Sequence, residues 1–106
     1  MTNQENLQRE IDQYVSRTPR SRDLQANAEK YLPGGSSRGT AYFGPHPHFI
    51  ERGEGHYMID ADGNRMLDFM INATSLILGH AHPDIVAALQ EQAAKGTAFT
   101  GPTEAQ

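Results

Sequence analysis

The chain has 106 residues, a formal net charge of -4, no cysteine and 37% hydrophobic residues. A chain of this size forms at most one small domain with a thin core, and without thiols it has neither a disulfide framework nor a thiolate nucleophile or metal ligand. Its acidic balance and its two lysines, Lys30 and Lys95, exclude a nucleic-acid surface, which needs clustered cations.

Residues 1–10 lack the apolar centre of a signal peptide, and no run approaches membrane-spanning length. The expectation is a cytoplasmic protein that binds neither membrane nor nucleic acid. Thr2 and Glu5 have the spacing of a capping box, and Leu7, Ile11, Tyr14 and Val15 then recur on one helical face. Thr18 and Pro19 break that helix and open a second, in which Leu24, Ala28, Tyr31 and Leu32 share a face until Pro33-Gly34-Gly35 ends it. The loop Gly34 to Thr40 is the most polar and flexible stretch of the chain.

Pro45 and Pro47 favour an extended approach to a three-stranded meander, predicted at His48 to Arg52, His56 to Asp60 and Asn64 to Phe69. Glycine and aspartate turns separate the strands. In the last strand the alternation places Leu67 and Phe69 on the apolar side. A further helix is predicted from Pro83, with Asp84 near its positive end, a buried stripe of Ile85, Val86, Leu89 and Ala93, and Gly96 as its stop. Thr103 to Gln106 reads as the opening of another helix, which suggests that the element continues beyond the given sequence.

Three constellations could carry chemistry. The pairs His46/His48 and His80/His82 could each offer a metal two ligands, but a third is missing and Pro47 distorts the first, so the expectation is no metal. Asp60, Asp62 and Asn64 resemble the start of a calcium loop, yet Gly63 comes too early and no distal glutamate follows, so a plain turn is the better reading. The loop around Arg38 is not a phosphate-binding P-loop, because the lysine after the last glycine is missing. It presents one guanidinium flanked by hydroxyls and backbone amides, a set suited to gripping a carboxylate.

Five motifs then occur in order: Leu32-Pro33-Gly34-Gly35, Ile50-Glu51-Arg52-Gly53-Glu54-Gly55, Asp60-Ala61-Asp62-Gly63-Asn64-Arg65, Leu67-Asp68-Phe69 and Leu78-Gly79-His80-Ala81-His82-Pro83. Together they resemble the front part of class III, pyridoxal-phosphate-dependent aminotransferases, nearest the glutamate-1-semialdehyde aminomutase branch. The resemblance implies an α+β fold class: leading helices, a small antiparallel meander and a packed helix, the front portion of an aspartate-aminotransferase-type fold. It divides the chain into a leading helical arm, 1–31, and the amino-terminal part of the aminotransferase, 32–106, ending before the cofactor-binding domain.

The resemblance further implies a homodimer that binds pyridoxal phosphate and moves an amino group between an amino acid and a keto acid. The lysine that carries the cofactor and the phosphate-holding motif belong further along such a chain. Lys30 and Lys95 match neither, so no residue here is expected to be catalytic and the segment alone is expected to be inactive. Ser37 and Arg38 inherit the substrate-carboxylate role, and Phe99 and Thr100 fall in the segment that approaches the partner subunit's pocket. Arg38 follows Ser37 directly, and Ala73 stands where aminomutases carry tryptophan. Both departures favour an aminotransferase acting on another amino acid, a β-amino acid being one possibility. The alternatives are a non-catalytic binding or dimerisation module of the same descent and, last, a metal-dependent hydrolase built on the four histidines.

Overall fold

A computed structural model describes residues 2–39 and 42–104. Two leading helices, α1 (Asn3–Arg17) and α2 (Pro19–Ala28), precede a 3-10 turn at Pro33–Gly35. The antiparallel meander β1 (Ile50–Glu54), β2 (Tyr57–Asp60) and β3 (Arg65–Leu67) follows, with β2 in the centre. A single turn, α3 (Ile71–Thr74), and the helix α4 (Pro83–Lys95) complete it. The α+β architecture expected from the sequence is therefore present.

The capping box forms as the spacing predicts: Thr2 N donates to Glu5 Oε2 at 2.6 Å and Glu5 N to Thr2 Oγ1 at 3.2 Å. The second helix ends at Ala28, sooner than the apolar pattern predicts, and Tyr31 is 77% exposed. Its buried face is polar, made by Ser21 and Gln25, because both side chains are held from outside the helix. Gln25 Nε2 donates to Gly34 O at 2.9 Å, and a side chain at Gly35 would strike that same amide nitrogen. Gly34 and Gly35 both take positive φ, which glycine adopts without penalty.

The core is largely polar. Ile59 is the one buried hydrophobic residue among those described, whereas Thr18, Ser21, Gln25, His46, Asp60 and Asp68 are all buried. The acidic turn, expected to be a plain connection, organises this centre. Asp60 accepts hydrogen bonds from His48 Nδ1 (2.7 Å), Asn64 Nδ2 (2.9 Å) and the amides of Asp62 (3.0 Å) and Asn64 (2.7 Å). Asp62 caps α2 from across the fold, accepting from Arg20 N at 2.7 Å, Ser21 N at 2.9 Å and Ser21 Oγ at 2.8 Å. The helix's own cap residue, Thr18, makes no side-chain cap. Asp62→Ala is therefore expected to cost about 0.5–2 kcal/mol, the range for a lost N-cap, and to speed amide exchange at Arg20 and Ser21. Unchanged protection there would show that α2 caps itself.

The third strand stops at Leu67, earlier than the sequence suggests, and the expected burial of Leu67 and Phe69 is reversed. Phe69 is 88% exposed and Asp68 is buried. The cause is local. Asp68 Oδ1 accepts from the amides of Met70 (3.0 Å) and Ile71 (2.9 Å), and its Oδ2 lies 2.7 Å from His80 Nε2, so the chain bends around this carboxylate. Beyond it, α3 is left-handed, with φ of 40°, 49°, 55° and 69° from Ile71 to Thr74. For L-residues this costs about 1–2 kcal/mol each, and a β-branched residue such as Ile71 tolerates it poorly.

Gly79 allows the next segment to reach the β1–β2 turn. A Cβ there would lie 2.7 Å from Gly55 O, and His80 N donates to that same oxygen at 2.7 Å. The helix from Pro83 forms as expected and Gly96 ends it with φ 106°. Its stripe is amphipathic but not buried in this chain: Leu89 is 62% exposed, and Ile85, Val86 and Ala93 are also exposed. The α4 helix joins the meander through the Gly79–His80 segment, and no described element covers its apolar face. The predicted helix start at Thr103–Gln106 lies partly outside the described residues, and Thr103 is not helical.

Three aspartates are held below their ordinary value of 3.8. Burial would raise Asp60 and Asp62, but hydrogen bonds from Asn64, His48 and backbone amides outweigh it at Asp60, and those from Ser21 and Arg20 outweigh it at Asp62. At Asp68 the His80 hydrogen bond is the main cause, joined by the amides of Ile71 and Met70. A depressed carboxyl contributes stability that is complete above its unfolded pKa and is lost as pH falls through the lower folded value. Stability measured against pH should hold steady down to the unfolded value of 3.8 and fall below it. A curve that stays flat below that value would contradict these networks.

Candidate functional site

The flexible loop predicted to hold a carboxylate folds over the start of the sheet. A cleft of about 520 Å³ is lined by Gln25, Leu32, Ser36, Ser37, Arg38 and Phe49 among others, so the sequence-predicted pair Ser37 and Arg38 lies on one concave surface. The loop is shaped by Ser36, whose Oγ accepts from Arg38 N at 3.1 Å and donates to Arg38 O at 2.9 Å. Gln25 supports it from beneath. Its Oε1 is buried without a partner among the described residues.

Both Ser37 and Arg38 are exposed. Arg38 Nη1 donates to Asn72 Oδ1 at 3.0 Å. Among the described residues no carboxylate pairs with this guanidinium, unlike Arg9, Arg22 and Arg52, which each have an acidic neighbour. An arginine fixed through one nitrogen to a neutral acceptor keeps its charge and its other donors for an anion. Asn72 was not singled out by its sequence context. The available signal was that asparagine is one of the few residues at ease in left-handed backbone, but nothing in the spacing marks 71–74 as such a turn.

Phe99 and Thr100 are not brought to this cleft. Phe99 packs over Gly96, where an added Cβ would sit 2.8 Å from its ring, and it lines a separate hollow with Ala88, Gln92 and Lys95. Thr100 is exposed beside it.

Three of the four histidines in the two pairs have structural partners. His46 Nε2 lies 2.9 Å from Thr18 Oγ1, His48 pairs with Asp60 and His80 with Asp68. Tyr14 seals the arm against the first pair, donating to His46 O at 2.7 Å and packing edge-on against His48. His82 Nδ1 is 4.0 Å from Asp84 and has no hydrogen-bond partner among the described residues. Among the described residues no three His, Cys, Asp or Glu side chains are arranged to hold a metal.

Neither lysine is placed to carry a cofactor. Lys30 is exposed after α2, and Lys95 pairs with Glu91 at 2.6 Å on an exposed helix face. Among the described residues, the cleft around Arg38 is lined by one guanidinium and two serine hydroxyls and by no lysine. No described helix is long and apolar enough to cross a membrane.

The chain is similar to known proteins over most of its length. The profile of the family described as Aminotransferase class-III matches residues 41–105. A glutamate-1-semialdehyde 2,1-aminomutase of Roseiflexus castenholzii is 50% identical over 91 residues, which are 83% of this chain and 21% of that one. An omega-transaminase from Sphaerobacter thermophilus superimposes with a TM-score of 0.72 at 49% identity, over 79% of this chain and 19% of that one. A beta-phenylalanine aminotransferase from Variovorax paradoxus does so with a TM-score of 0.84 at 32% identity, over 94% and 23%. The chain spans about a fifth of the length of the curated relatives it matches.

Proposed function

This chain belongs to the class III aminotransferase family, and we propose that it is the leading segment of an enzyme that moves an amino group between an amino acid and a keto acid. The complete enzyme meant here is this segment continuous with the four-fifths that its relatives have in addition. The observation that carries the proposal is Arg38, a guanidinium in an open cleft whose one fixed contact among the described residues is neutral. In this reading Arg38 takes the substrate carboxylate through two parallel hydrogen bonds, and the Ser37 hydroxyl adds a donor beside it.

Holding the carboxylate orients the amino end toward the reacting centre, where orientation alone lowers the barrier. Pyridoxal phosphate, supplied with its lysine by the rest of the enzyme, would act as the electron sink for that chemistry. Phe99 and Thr100 would line the pocket of a second subunit in a homodimer, and the enzyme would work in the cytoplasm. The same grip would serve migration of an amino group within one molecule, as in the aminomutases. Ala73, in place of tryptophan, favours transfer between molecules, with β-amino acids among the donors. A non-catalytic module of the same descent would bind carboxylates without transferring anything.

The proposal is tested by arginine-selective modification of the complete enzyme. A carboxylate substrate analogue is expected to shield Arg38 from phenylglyoxal, while an amine lacking the carboxylate leaves it reactive. Equal reactivity of Arg38 with and without the carboxylate would remove it from the substrate site.

A further inference from the structure

We propose that the left-handed turn α3 is the device that aims Arg38, with Asn72 as its positioning residue. The inference rests on the reading of Arg38 as the substrate-carboxylate group and adds what determines its preference for an anion. Four consecutive non-glycine residues with positive φ persist only where the surroundings over-determine them. Here they do. Asp68 Oδ1 holds the amides entering the turn, and its Oδ2 is pinned by His80 Nε2. At the other end Ser75 Oγ donates to Asn72 O at 2.8 Å and accepts from Asn72 Nδ2 at 3.1 Å.

The outcome of this arrangement is one side-chain contact across 34 positions of sequence, Asn72 Oδ1 to Arg38 Nη1. Because Nδ2 is committed to Ser75, the amide is oriented with its oxygen toward the guanidinium. The acceptor is neutral, so it fixes the direction of the fork without cancelling its charge. Nε and Nη2 have no acceptor among the described residues and remain available to the substrate. A carboxylate at position 72 would have the reach of asparagine but would compete with the substrate for the cation. Position 72 is thus assigned as the specificity determinant for anionic donors, through Arg38.

The test uses the complete, cofactor-loaded enzyme. It reads the ratio of kcat/KM for an amino-acid donor to kcat/KM for the matching amine without a carboxylate. Asn72→Gly keeps the left-handed backbone and removes only the amide, and the ratio is expected to fall about tenfold. Asn72→Asp, which also tolerates positive φ, is expected to lower it about a hundredfold by occupying the guanidinium. In the Arg38→Ala background Asn72→Gly should add nothing, since its effect runs through Arg38.

If either single variant of Asn72 leaves the ratio within about twofold of wild type while Arg38→Ala lowers it, Asn72 has no aiming role and the assignment of Arg38 survives. The inference is equally overturned if both Asn72 variants lose the two donors in parallel, because that marks a purely structural turn. If Arg38→Ala itself leaves the ratio unchanged, the carboxylate reading fails and the inference falls with it.

Discussion

Asp60→Ala is expected to release the two leading helices from the sheet. Asp60 is fully buried and accepts from His48, from the Asn64 side chain and from two backbone amides. Truncation leaves those donors buried without an acceptor, and losing one partner of a buried charged network costs about 3–5 kcal/mol. A core whose sole buried hydrophobic residue, among those described, is Ile59 has little to offset this. The damage spreads because the same turn presents Asp62 to α2, while Asn64 Nδ2 also donates to Arg17 O at 3.0 Å. Asp60→Asn should cost less, since the amide keeps the shape and one accepting oxygen. Hydrogen exchange over residues 3–28 would report the release, and wild-type protection in Asp60→Ala would show that the arm is held by something else.

Arg38→Ala is expected to have the largest effect on activity. In the complete enzyme it should lower kcat/KM for amino-acid donors by about 10²-fold or more, which corresponds to losing a charge-assisted, bidentate contact. Cofactor binding should be little changed, because the contact of the guanidinium is Asn72 and no lysine lines its cleft among the described residues. Arg38→Lys should restore only part of the loss, since a point charge lacks the planar fork. Steady-state kinetics with paired donors measures both. A wild-type kcat/KM for amino acids in Arg38→Ala would contradict the assignment.

Local rules carried the parts of this structure that local chemistry decides. The capping box at Thr2 and Glu5, the proline start and glycine stop of α4 and the order of the meander strands follow from short-range preferences. The failures share one cause. Binary patterning assumes that apolar residues face inward, yet the described interior is built on Asp60, Asp68, Ser21 and Gln25, each hydrogen-bonded to a partner distant in sequence or across a turn.

Leu67, Phe69 and the stripe on α4 read as core because they are apolar, and within this chain they are left uncovered. Ser37 and Arg38 were singled out because a guanidinium among hydroxyls and glycines is a chemical signal, and both line one cleft. Asn72 was not, because its contact with Arg38 depends on a left-handed turn that Asp68 and His80 brace from outside it.

The most direct measurement of the central claim is a graft. Residues 1–106 replace the matching fifth of the Sphaerobacter thermophilus omega-transaminase, to which the chain is 49% identical, and amino-group transfer is assayed after cofactor loading. The account predicts a folded chimera that transfers amino groups from carboxylate-bearing donors and loses that ability with Arg38→Ala. A chimera that folds and loads cofactor but transfers nothing would contradict it, and would favour the non-catalytic module.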